Sequence, residues 1–303
     1  MTEPTEYSFI RYLEAKRTVD DRALNQQVWR RLLDELQVLP RERSLQVMEV
    51  GAGIGTMLQR TLEWGFDRDM DYIAVDSDPL LLAVAAERLP AWARGLGWQI
   101  EQPHEGKLVL SGPRQSVMLE FVSQDIFEIP ERPGGFFDLI IAHAFLDLVE
   151  LKTALPHLLS LTRPDGLFYF TLMFDGVTIL RPPIDPDFDS LIEARYHRTM
   201  DERIVRGRPS GHSQTGRMLL ETLSARKASI LAAGGSDWVV NPPYPADEAY
   251  FLHHILHFIE NALKDSPDLD LHRLEHWIRS RHLQVEEGRL IYIAHQLDVL
   301  GHP

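Results

Sequence analysis

The chain has 303 residues, of which 44% are hydrophobic and 25% charged, and this composition is typical of a globular protein with a sizeable core. Its formal net charge of −14 argues against nucleic acid or an anionic membrane surface as a partner, because both attract basic proteins. Cysteine is absent, which excludes disulfides, thiolate metal sites and a cysteine nucleophile, and fits a cytoplasmic protein. The N-terminal segment lacks the apolar stretch of a secretory signal, and no apolar run has the length of a transmembrane helix.

The first 40 residues are predicted to form a helical cap. Apolar residues from Leu24 to Leu36 recur at spacings of three and four, which is the pattern of an amphipathic helix. Thr18 and Asp21, just before them, resemble a capping box, and Pro40 ends the helical pattern. We therefore separate a cap of residues 1–40 from a main domain of residues 41–303.

Strands and helices alternate over the residues that follow. The predicted strands are 45–50, 71–76, 117–122, 137–144 and 166–174, and the predicted helices between them are 56–64, 78–96 and 151–162. Further along we predict a helix at 214–233, a strand at 237–242, a helix at 246–263 and a final strand at 289–297. Alternation of this kind indicates an α/β fold with a doubly wound, mostly parallel sheet that carries helices on both faces.

Two segments interrupt the alternation. Residues 98–112 are predicted to form an inserted hairpin that turns at His104–Gly106. Residues 175–213 are rich in proline and arginine and have weak periodicity, so we predict a loop-rich lid that covers the site. The arginines of this lid are Arg195, Arg198, Arg203, Arg206 and Arg208. They are suited to an anionic acceptor, and the alternative is that they are only solvated.

Three glycines follow the first predicted strand and precede a helix. Gly51, Gly53 and Gly55 would let a ligand approach the backbone closely, because no Cβ stands in the way. Asp76 ends the next predicted strand, where a carboxylate suits the two hydroxyls of a ribose. The pattern predicts a ribose-containing ligand. The alternative is a tight turn that needs glycine for packing alone.

The order of these residues resembles one known family. The nicotinamide fingerprint would place its third glycine at Thr56, whereas the order Glu49-x-Gly51-x-Gly53-x-Gly55 is similar to motif I of class I S-adenosylmethionine-dependent methyltransferases. The segments "VDSDP" (75–79), "SQDIFEI" (123–129), "FDLIIAHAFLDLV" and "LTRPDGLFYF" resemble later motifs and strands of the same family. The resemblance covers about residues 45–174. It implies a Rossmann-like sheet of seven strands with a reversed last strand, and S-adenosyl-L-methionine as the cofactor.

The resemblance also implies roles for individual residues in cofactor binding. Gly51, Ala52 and Gly53 would line the methionine part, and Glu49 would hold its amino-acid end. The remaining residues of the predicted cofactor site are Arg22 for the methionine carboxylate, Asp76 and Ser77 for the ribose, Gln124, Asp125 and Ile126 for the adenine, and His143. Asp125, Ser77 and Asp78 have helix capping as their alternative role, and Arg22 has a solvent-facing position.

His143 follows the fourth strand, which in the family faces the transferred methyl group. It is our candidate general base, and the alternative is a histidine that only packs on the cofactor. Four residues are candidates for binding the acceptor: Tyr12, Asp147, Tyr196 and Arg198. No metal is predicted, because His253 and His257 have metal-ligand spacing but lack the remaining ligands of a metalloprotease motif.

These observations lead to one functional prediction and two alternatives. We predict an enzyme that transfers a methyl group from S-adenosyl-L-methionine to a small organic metabolite by direct in-line displacement. The alternatives are a nicotinamide-dependent oxidoreductase on a Rossmann sheet and a non-catalytic cofactor-binding protein, because a fold alone does not fix chemistry. The sequence indicates neither the acceptor, nor the atom that accepts the methyl group, nor the oligomeric state.

Overall fold

A computed structural model describes residues 2–104, 106–205 and 207–303. Glu105, in the turn of the predicted hairpin, and Arg206, one of the arginines predicted in the lid, lie outside the described residues, as does Met1. The helices are α1 (Phe9–Ala23), α2 (Gln26–Val38), α3 (Thr56–Glu63), α4 (Pro79–Gly95), α5 (Leu151–Leu161), α6 (Pro186–Asp201), α7 (Thr215–Ala225), α8 (Glu248–Leu263) and α9 (Leu271–Glu286). The strands are β1 (Leu45–Val50), β2 (Met70–Asp76), β3 (Gln99–His104), β4 (Lys107–Ser111), β5 (Ser116–Ser123), β6 (Phe137–His143), β7 (Thr162–Arg181), β8 (Ile204–Val205), β9 (Arg208–Pro209), β10 (Ser229–Gly235), β11 (Trp238–Val240) and β12 (Ile291–His302).

One mixed sheet forms the centre of the molecule. Its strand order is β10-β12-β7-β6-β1-β2-β5-β4-β3, with β11 paired to β12 beside this path. Strands β5, β2, β1, β6 and β7 are parallel, and β12 lies antiparallel between β7 and β10. The predicted doubly wound sheet of seven strands with a reversed last strand is therefore confirmed. The predicted hairpin at 98–112 is β3 and β4, which add two strands beyond β5.

The sheet is covered on both faces because its central strands are apolar on both sides. Every residue of β6 is buried, as expected for a parallel strand between two helical layers. One buried cluster joins the sheet to the layer of α1, α2, α4, α8 and α9, and a second joins the opposite face to α5 and α7. The N-terminal helices thus belong to the same core as the sheet, and the boundary at residue 40 stays a prediction.

The order of the strands positions the site. The chain leaves β1 towards β2 on one side and later returns to β6 on the other, so neighbouring crossovers diverge at this point. Ligands of open parallel sheets bind in the crevice at such a point, outside the carboxyl ends of the strands. The turn after β1 (residues 51–55) and the turn after β6 (residues 144–148) lie at this crevice, and α1 packs against the same end.

In the second half of the chain one prediction was wrong, one was confirmed and one helix was missed. The helix predicted at 214–233 ends at Ala225, and residues 229–235 form β10. The predicted strand at 237–242 is the short strand β11. Helix α9 was not predicted, because its sequence is mostly polar and only four apolar side chains along it are buried.

The predicted lid is more regular than its sequence indicated. Strand β7 continues to Arg181, α6 covers residues 186–201, and β8 and β9 form a small hairpin, so the prediction of a loop-rich segment was wrong. Asp185 caps α6 by accepting a hydrogen bond from the Phe188 main-chain N–H, and Pro186 occupies its first turn. Trp277 and Arg281 of α9 both donate hydrogen bonds to Asp189 of α6, which attaches α6 to the body of the protein.

Candidate functional site

The three glycines after β1 all have left-handed backbone conformations. Their φ angles are +67° at Gly51, +52° at Gly53 and +81° at Gly55, and L side chains rarely adopt such values. A Cβ added at Gly51 would lie 2.6 Å from Cδ2 of Phe145, and one at Gly55 would lie 2.8 Å from Cδ1 of Leu89. Packing therefore explains the glycine at these two positions, as the alternative proposed.

Gly53 differs from its two neighbours. A Cβ at this position would meet only Cδ1 of Leu13 on α1, at 3.8 Å, which is an ordinary contact distance. Its main-chain N–H donates a hydrogen bond of 2.8 Å to Oδ2 of Asp76 at the end of β2. The turn thus keeps open space above Gly53, and the same carboxylate that was predicted to bind ribose holds this turn in place.

Asp76 joins the carboxyl ends of three neighbouring strands. Its second oxygen accepts a hydrogen bond from the Asp78 main-chain N–H at 2.9 Å, and its main-chain oxygen accepts one from the Gln124 N–H at 3.1 Å. A carboxylate offers about four lone pairs, so two main-chain donors leave Asp76 free to accept further hydrogen bonds. Ser77 is exposed beside it, and Asp78 caps α4 through the Leu80 N–H, as its alternative role predicted.

The residues predicted to bind adenine lie at the end of β5, next to Asp76. Asp125 caps the 3₁₀ turn Ile126–Glu128 through the Phe127 N–H at 3.1 Å, which is its alternative role. Gln124 donates a side-chain hydrogen bond to the Glu128 main-chain oxygen, and Ile126 is buried in the core cluster around α5. Their contact with adenine stays a prediction.

Glu49 does not present a charged carboxylate. It is 1% exposed, accepts a 2.6 Å hydrogen bond from the Tyr72 hydroxyl, and burial raises the pKa of its carboxyl to about 8. The side chain is therefore mostly protonated at neutral pH. The resemblance implies that Glu49 holds the amino-acid end of the cofactor, and a neutral carboxyl bonded to Tyr72 would bring no charge to that role.

Glu49 makes the stability of the protein depend on pH. The unfolded chain loses this proton near pH 4.5 and the folded chain only near pH 8, so wild-type stability should fall as the pH rises through this window. Glu49→Gln cannot ionise, and its free energy of unfolding relative to wild type should rise by about 1.4 kcal/mol per pH unit from pH 5 to pH 8. Urea denaturation at several pH values measures this difference. Glu87→Gln, at an exposed site, is the control, and a pH-independent difference for Glu49→Gln would contradict the prediction.

Arg22 has a different partner from the one we expected. Its guanidinium forms a two-pronged ion pair with Glu248 of α8, with 2.8 Å between Nη2 and Oε2, and Glu248 is fully buried. Breaking this pair would leave the Glu248 carboxylate buried without its partner, which is costly. The structure thus does not support Arg22 as the partner of the methionine carboxylate.

His143 lies in a buried polar network between α1, α3 and the end of β6. Its Nδ1 is 2.8 Å from the Thr171 hydroxyl, and its Nε2 is 3.1 Å from Nη1 of Arg60 and 3.2 Å from Oδ2 of Asp20. The same Asp20 oxygen accepts a 2.5 Å hydrogen bond from Lys16, and the other oxygen accepts one of 2.9 Å from the Trp238 indole. We call Lys16, Asp20, Arg60, His143 and Trp238 the buried network.

The buried network keeps His143 neutral. Burial lowers the pKa of His143 to about 4, although the hydrogen bond with Asp20 acts in the opposite direction. Burial also opposes the ionisation of Asp20, but Lys16, His143 and Arg60 outweigh it and lower the pKa of Asp20. Both ring nitrogens of His143 are engaged, which agrees with the alternative of a packing histidine. Its role as a general base stays a prediction.

Asp20 and Arg60 were not singled out in the sequence, and Lys16 was considered there only beside Arg22, as a possible partner of the methionine carboxylate. Arg60 is fully buried on α3, and its Nε donates a 2.6 Å hydrogen bond to Asp21 of α1. Charged residues on amphipathic helices are usually solvated, so residue type alone did not mark Asp20 or Arg60 as buried. The available signal was position: Lys16 and Asp20 are four residues apart on the helix expected to cover the site.

Two of the four residues predicted to bind the acceptor lie at the same hydrophobic cluster. Tyr12 of α1 is buried in it, and Tyr196 of α6 is partly buried against it. Oδ1 of Asp147 is buried without a hydrogen-bond partner among the described residues. Arg198 differs: its guanidinium is 61% exposed and pairs with Glu202, so the alternative of a solvated arginine holds.

Two further features bear on the type of site. Within the ranges that the structure describes, no group of three or more histidine, aspartate or glutamate side chains could hold a metal ion. Among the same residues, every helix is too short or too polar to cross a membrane.

The comparisons with known proteins found matches among solved structures only. No protein-family model and no curated protein sequence matches the chain. A SAM-dependent methyltransferase from Thiobacillus denitrificans in complex with S-adenosyl-L-homocysteine is 14% identical, covers 100% of both chains and has a TM-score of 0.47. The YcgJ protein from Bacillus subtilis is 14% identical over 89% of this chain and 96% of its own, with a TM-score of 0.46. The [4+2]-cyclase SpnF is 16% identical over 97% of this chain and 94% of its own, with a TM-score of 0.44.

Proposed function

We propose that the chain is an enzyme that transfers a methyl group from S-adenosyl-L-methionine to a small organic molecule. The observation that carries this proposal is the left-handed turn at Gly53, whose N–H is bonded to Asp76 at the point where the strand order diverges. A backbone without a Cβ and a carboxylate on the adjacent strand are what a ligand with a ribose requires at this point. The sequence order from Glu49 to Gly55 favours S-adenosyl-L-methionine among such ligands.

The residues around the turn fit the cofactor. Gly51 to Gly53 would lie along its methionine part, Asp76 would accept hydrogen bonds from the ribose hydroxyls, and Asp125 would lie at the adenine end. Leu13 of α1 and Phe145, which lies after β6, lie against the glycine turn, where the methionine part would be, whereas Ser77 and Leu80 beyond Asp76 are exposed. When bound, this cofactor supplies a methyl group on a positively charged sulfur: an oxygen, nitrogen or other nucleophile can bond to the methyl carbon in line while the sulfur leaves as a neutral thioether.

The chain's own residues would act mainly by alignment and by excluding water. An in-line displacement needs no covalent help from the protein, so holding the two reactants in contact can supply most of the catalysis. Helix α1 lies over the glycine turn, and ion pairs fix it on both sides: Arg22 with Glu248 of α8, and Arg17 with Glu63 of α3. A cover held in this way would keep solvent from the reacting atoms.

Two alternative functions are compared with this proposal. A nicotinamide-dependent oxidoreductase would have its third glycine at residue 56, which is threonine, and the reversed strand β12 adds no support to this function. A non-catalytic role is favoured by His143, because both of its ring nitrogens have partners: Thr171 at Nδ1, and Arg60 of the buried network at Nε2. Turnover of labelled S-adenosyl-L-methionine with an acceptor separates catalysis from binding alone.

Binding of S-adenosylhomocysteine tests the proposal directly. We expect calorimetry to detect binding of this compound and none of NAD. Asp76→Ala should weaken binding about tenfold or more, because a hydrogen bond to a charged group contributes about 1.5–3 kcal/mol.

Asp78→Ala is the matched control for this experiment. It removes a carboxylate two residues away that caps α4, so it should cost about 1 kcal/mol of stability and leave the affinity near that of wild type. The proposal fails if S-adenosylhomocysteine does not bind. An unchanged dissociation constant in Asp76→Ala would show that Asp76 only holds the turn.

A further inference from the structure

Strand β7 carries a bulge where it passes His143. Thr171 and Leu172 of β7 lie opposite Asp298 alone on β12, and the register of the two strands shifts there. Leu172 has a φ of +53°, in the left-handed region that a bulky side chain rarely adopts. Bulges are frequent beside active sites, where they change the direction in which side chains point. A strained residue at this place calls for a group that holds it.

The bulge reverses the alternation of side chains along β7. Before it, Leu167 and Tyr169 belong to the buried cluster on the side of α1 and α8. After it, Leu172 and Phe174 belong to that cluster, whereas Met173 belongs to the cluster on the side of α5. Successive side chains of a regular strand point to opposite faces, so one extra residue turns over every side chain that follows. The bulge thus decides which residues in the second half of β7 face the helices on the side of α1.

Asp298 of β12 holds the bulge. Its Oδ1 accepts a 2.9 Å hydrogen bond from the Leu172 main-chain N–H, and its Oδ2 accepts one of 2.8 Å from the Asn25 N–H at the start of α2. The side chain is fully buried, and burial raises the pKa of its carboxyl to about 6. At neutral pH the carboxylate is therefore mostly ionised and can accept both hydrogen bonds. One buried group joins the bulge to the junction of α1 and α2.

Thr171 connects the bulge to His143. Its hydroxyl lies 2.8 Å from Nδ1 of His143. The threonine side chain is fully buried, and the chain passes directly from this residue into the bulge. The direction of the hydroxyl therefore depends on the backbone at Leu172. Because the contact at Nδ1 fixes the plane of the imidazole, it also directs Nε2 towards the side chains of Arg60 and Asp20.

We propose that Asp298 is a positioning residue for His143. Its carboxylate holds the left-handed bulge at Leu172, and the bulge places the Thr171 hydroxyl against Nδ1 of His143. Side chains of a site keep their direction when the residues behind them are fixed by hydrogen bonds, and Asp298 does this for the histidine that ends β6. The value of this arrangement for catalysis rests on the proposed methyl transfer, whereas the arrangement itself does not.

Nitrogen NMR of the His143 ring tests this proposal. The histidines are isotope-labelled, and the signals of His143 are identified by their loss in His143→Gln. Thr171→Val removes the hydroxyl and should shift the Nδ1 resonance, because this resonance depends on the hydrogen bond that the nitrogen makes. Thr171→Ser keeps a hydroxyl and should give the wild-type resonance.

Asp298→Ala removes both acceptor oxygens. It should shift the Nδ1 resonance of His143 in the same direction as Thr171→Val, because the bulge is no longer held. If this variant does not fold, Asp298→Asn takes its place. Its NH2 group faces a main-chain N–H where the carboxylate had an oxygen, so it should shift the resonance with the same sign.

Asp138→Ala is the matched control. Asp138 is 4% exposed near the start of β6, and it accepts a 2.9 Å hydrogen bond from the Gln46 main-chain N–H. The variant thus also removes a buried carboxylate that binds the main chain, on the strand that ends at His143. It should lower the melting temperature, as Asp298→Ala should, and leave the Nδ1 resonance at its wild-type position.

The double variant Thr171→Val/Asp298→Ala separates an action through the hydroxyl from an action of charge alone. If Asp298 acts through Thr171, its replacement adds no further shift in the Thr171→Val background. Additive shifts would overturn the proposal. So would a wild-type Nδ1 resonance in Thr171→Val or in the folded Asp298 variant, or an equal shift in Asp138→Ala. No cofactor enters these measurements, so failure of S-adenosylhomocysteine to bind would overturn only the proposed methyl transfer.

Discussion

Replacing Arg60 by alanine is expected to lower the free energy of unfolding by about 3–5 kcal/mol. The guanidinium is fully buried, donates to Asp21 at 2.6 Å, and lies 3.1 Å from Nε2 of His143 and 3.5 Å from Asp20. Without it, the carboxylates of Asp20 and Asp21 would lose one of their positively charged partners. The link between α3, α1 and β6 would be lost as well. Urea denaturation followed by tryptophan fluorescence and by circular dichroism measures the change.

Arg31→Ala is the matched control for Arg60→Ala. Arg31 also pairs with a carboxylate, Glu35, one helical turn away, but its side chain is 47% exposed. Exposed pairs of this kind contribute only about 0.3–0.5 kcal/mol, so this variant should stay within about 0.5 kcal/mol of wild type. Equal effects at the two sites would mean that the buried network does not stabilise the fold.

Replacing Gly53 by leucine is expected to abolish binding of S-adenosylhomocysteine. The side chain would fill the space between the turn and Leu13, which is the space assigned to the cofactor, and it would force a non-glycine residue to φ +52°. Calorimetry on the folded variant measures this loss, with circular dichroism to establish that the variant is folded.

Gly97→Leu controls for backbone strain in this experiment. Gly97 also has a left-handed conformation, with φ +81°, and a Cβ there would meet no atom within 4 Å. Both variants therefore carry a similar backbone penalty, but only Gly53→Leu should lose binding. Wild-type affinity in Gly53→Leu would remove the glycine turn from the proposed cofactor site.

The parallel part of the sheet could be predicted because its strands are short, apolar and separated by amphipathic helices. Strand β10 could not be predicted in the same way. Its sequence, "SILAAGG", follows a helix and contains alanine and leucine, which favour helices, and it is mostly exposed. It becomes a strand because β12 offers it a pairing edge, and such tertiary effects override local propensity.

Parts of the candidate site could be predicted where a position requires a particular backbone conformation or a charged side chain. Gly53 and Asp76 are of this kind, and the structure joins them by a hydrogen bond. The partners of Arg22 and Lys16 were not predictable, because each depends on how α1 packs against distant parts of the chain. Glu248, which binds Arg22, is 226 residues away in sequence. The burial of Arg60 depends on the same packing.

Helix α1 has one consequence for the kinetics of the proposed enzyme. Its Leu13 lies over the glycine turn, and its Tyr12, the preceding residue, is one of the residues predicted to bind the acceptor. A single rigid element therefore covers both ligands, so neither can exchange with solvent independently of the other. Both products would leave through the same opening event, whose rate would be set by breaking the ion pairs of Arg11, Arg17 and Arg22. If this opening event limits turnover, the turnover rate should increase with ionic strength, because salt screens exposed charges. The rate of the enclosed chemical step should not depend on ionic strength.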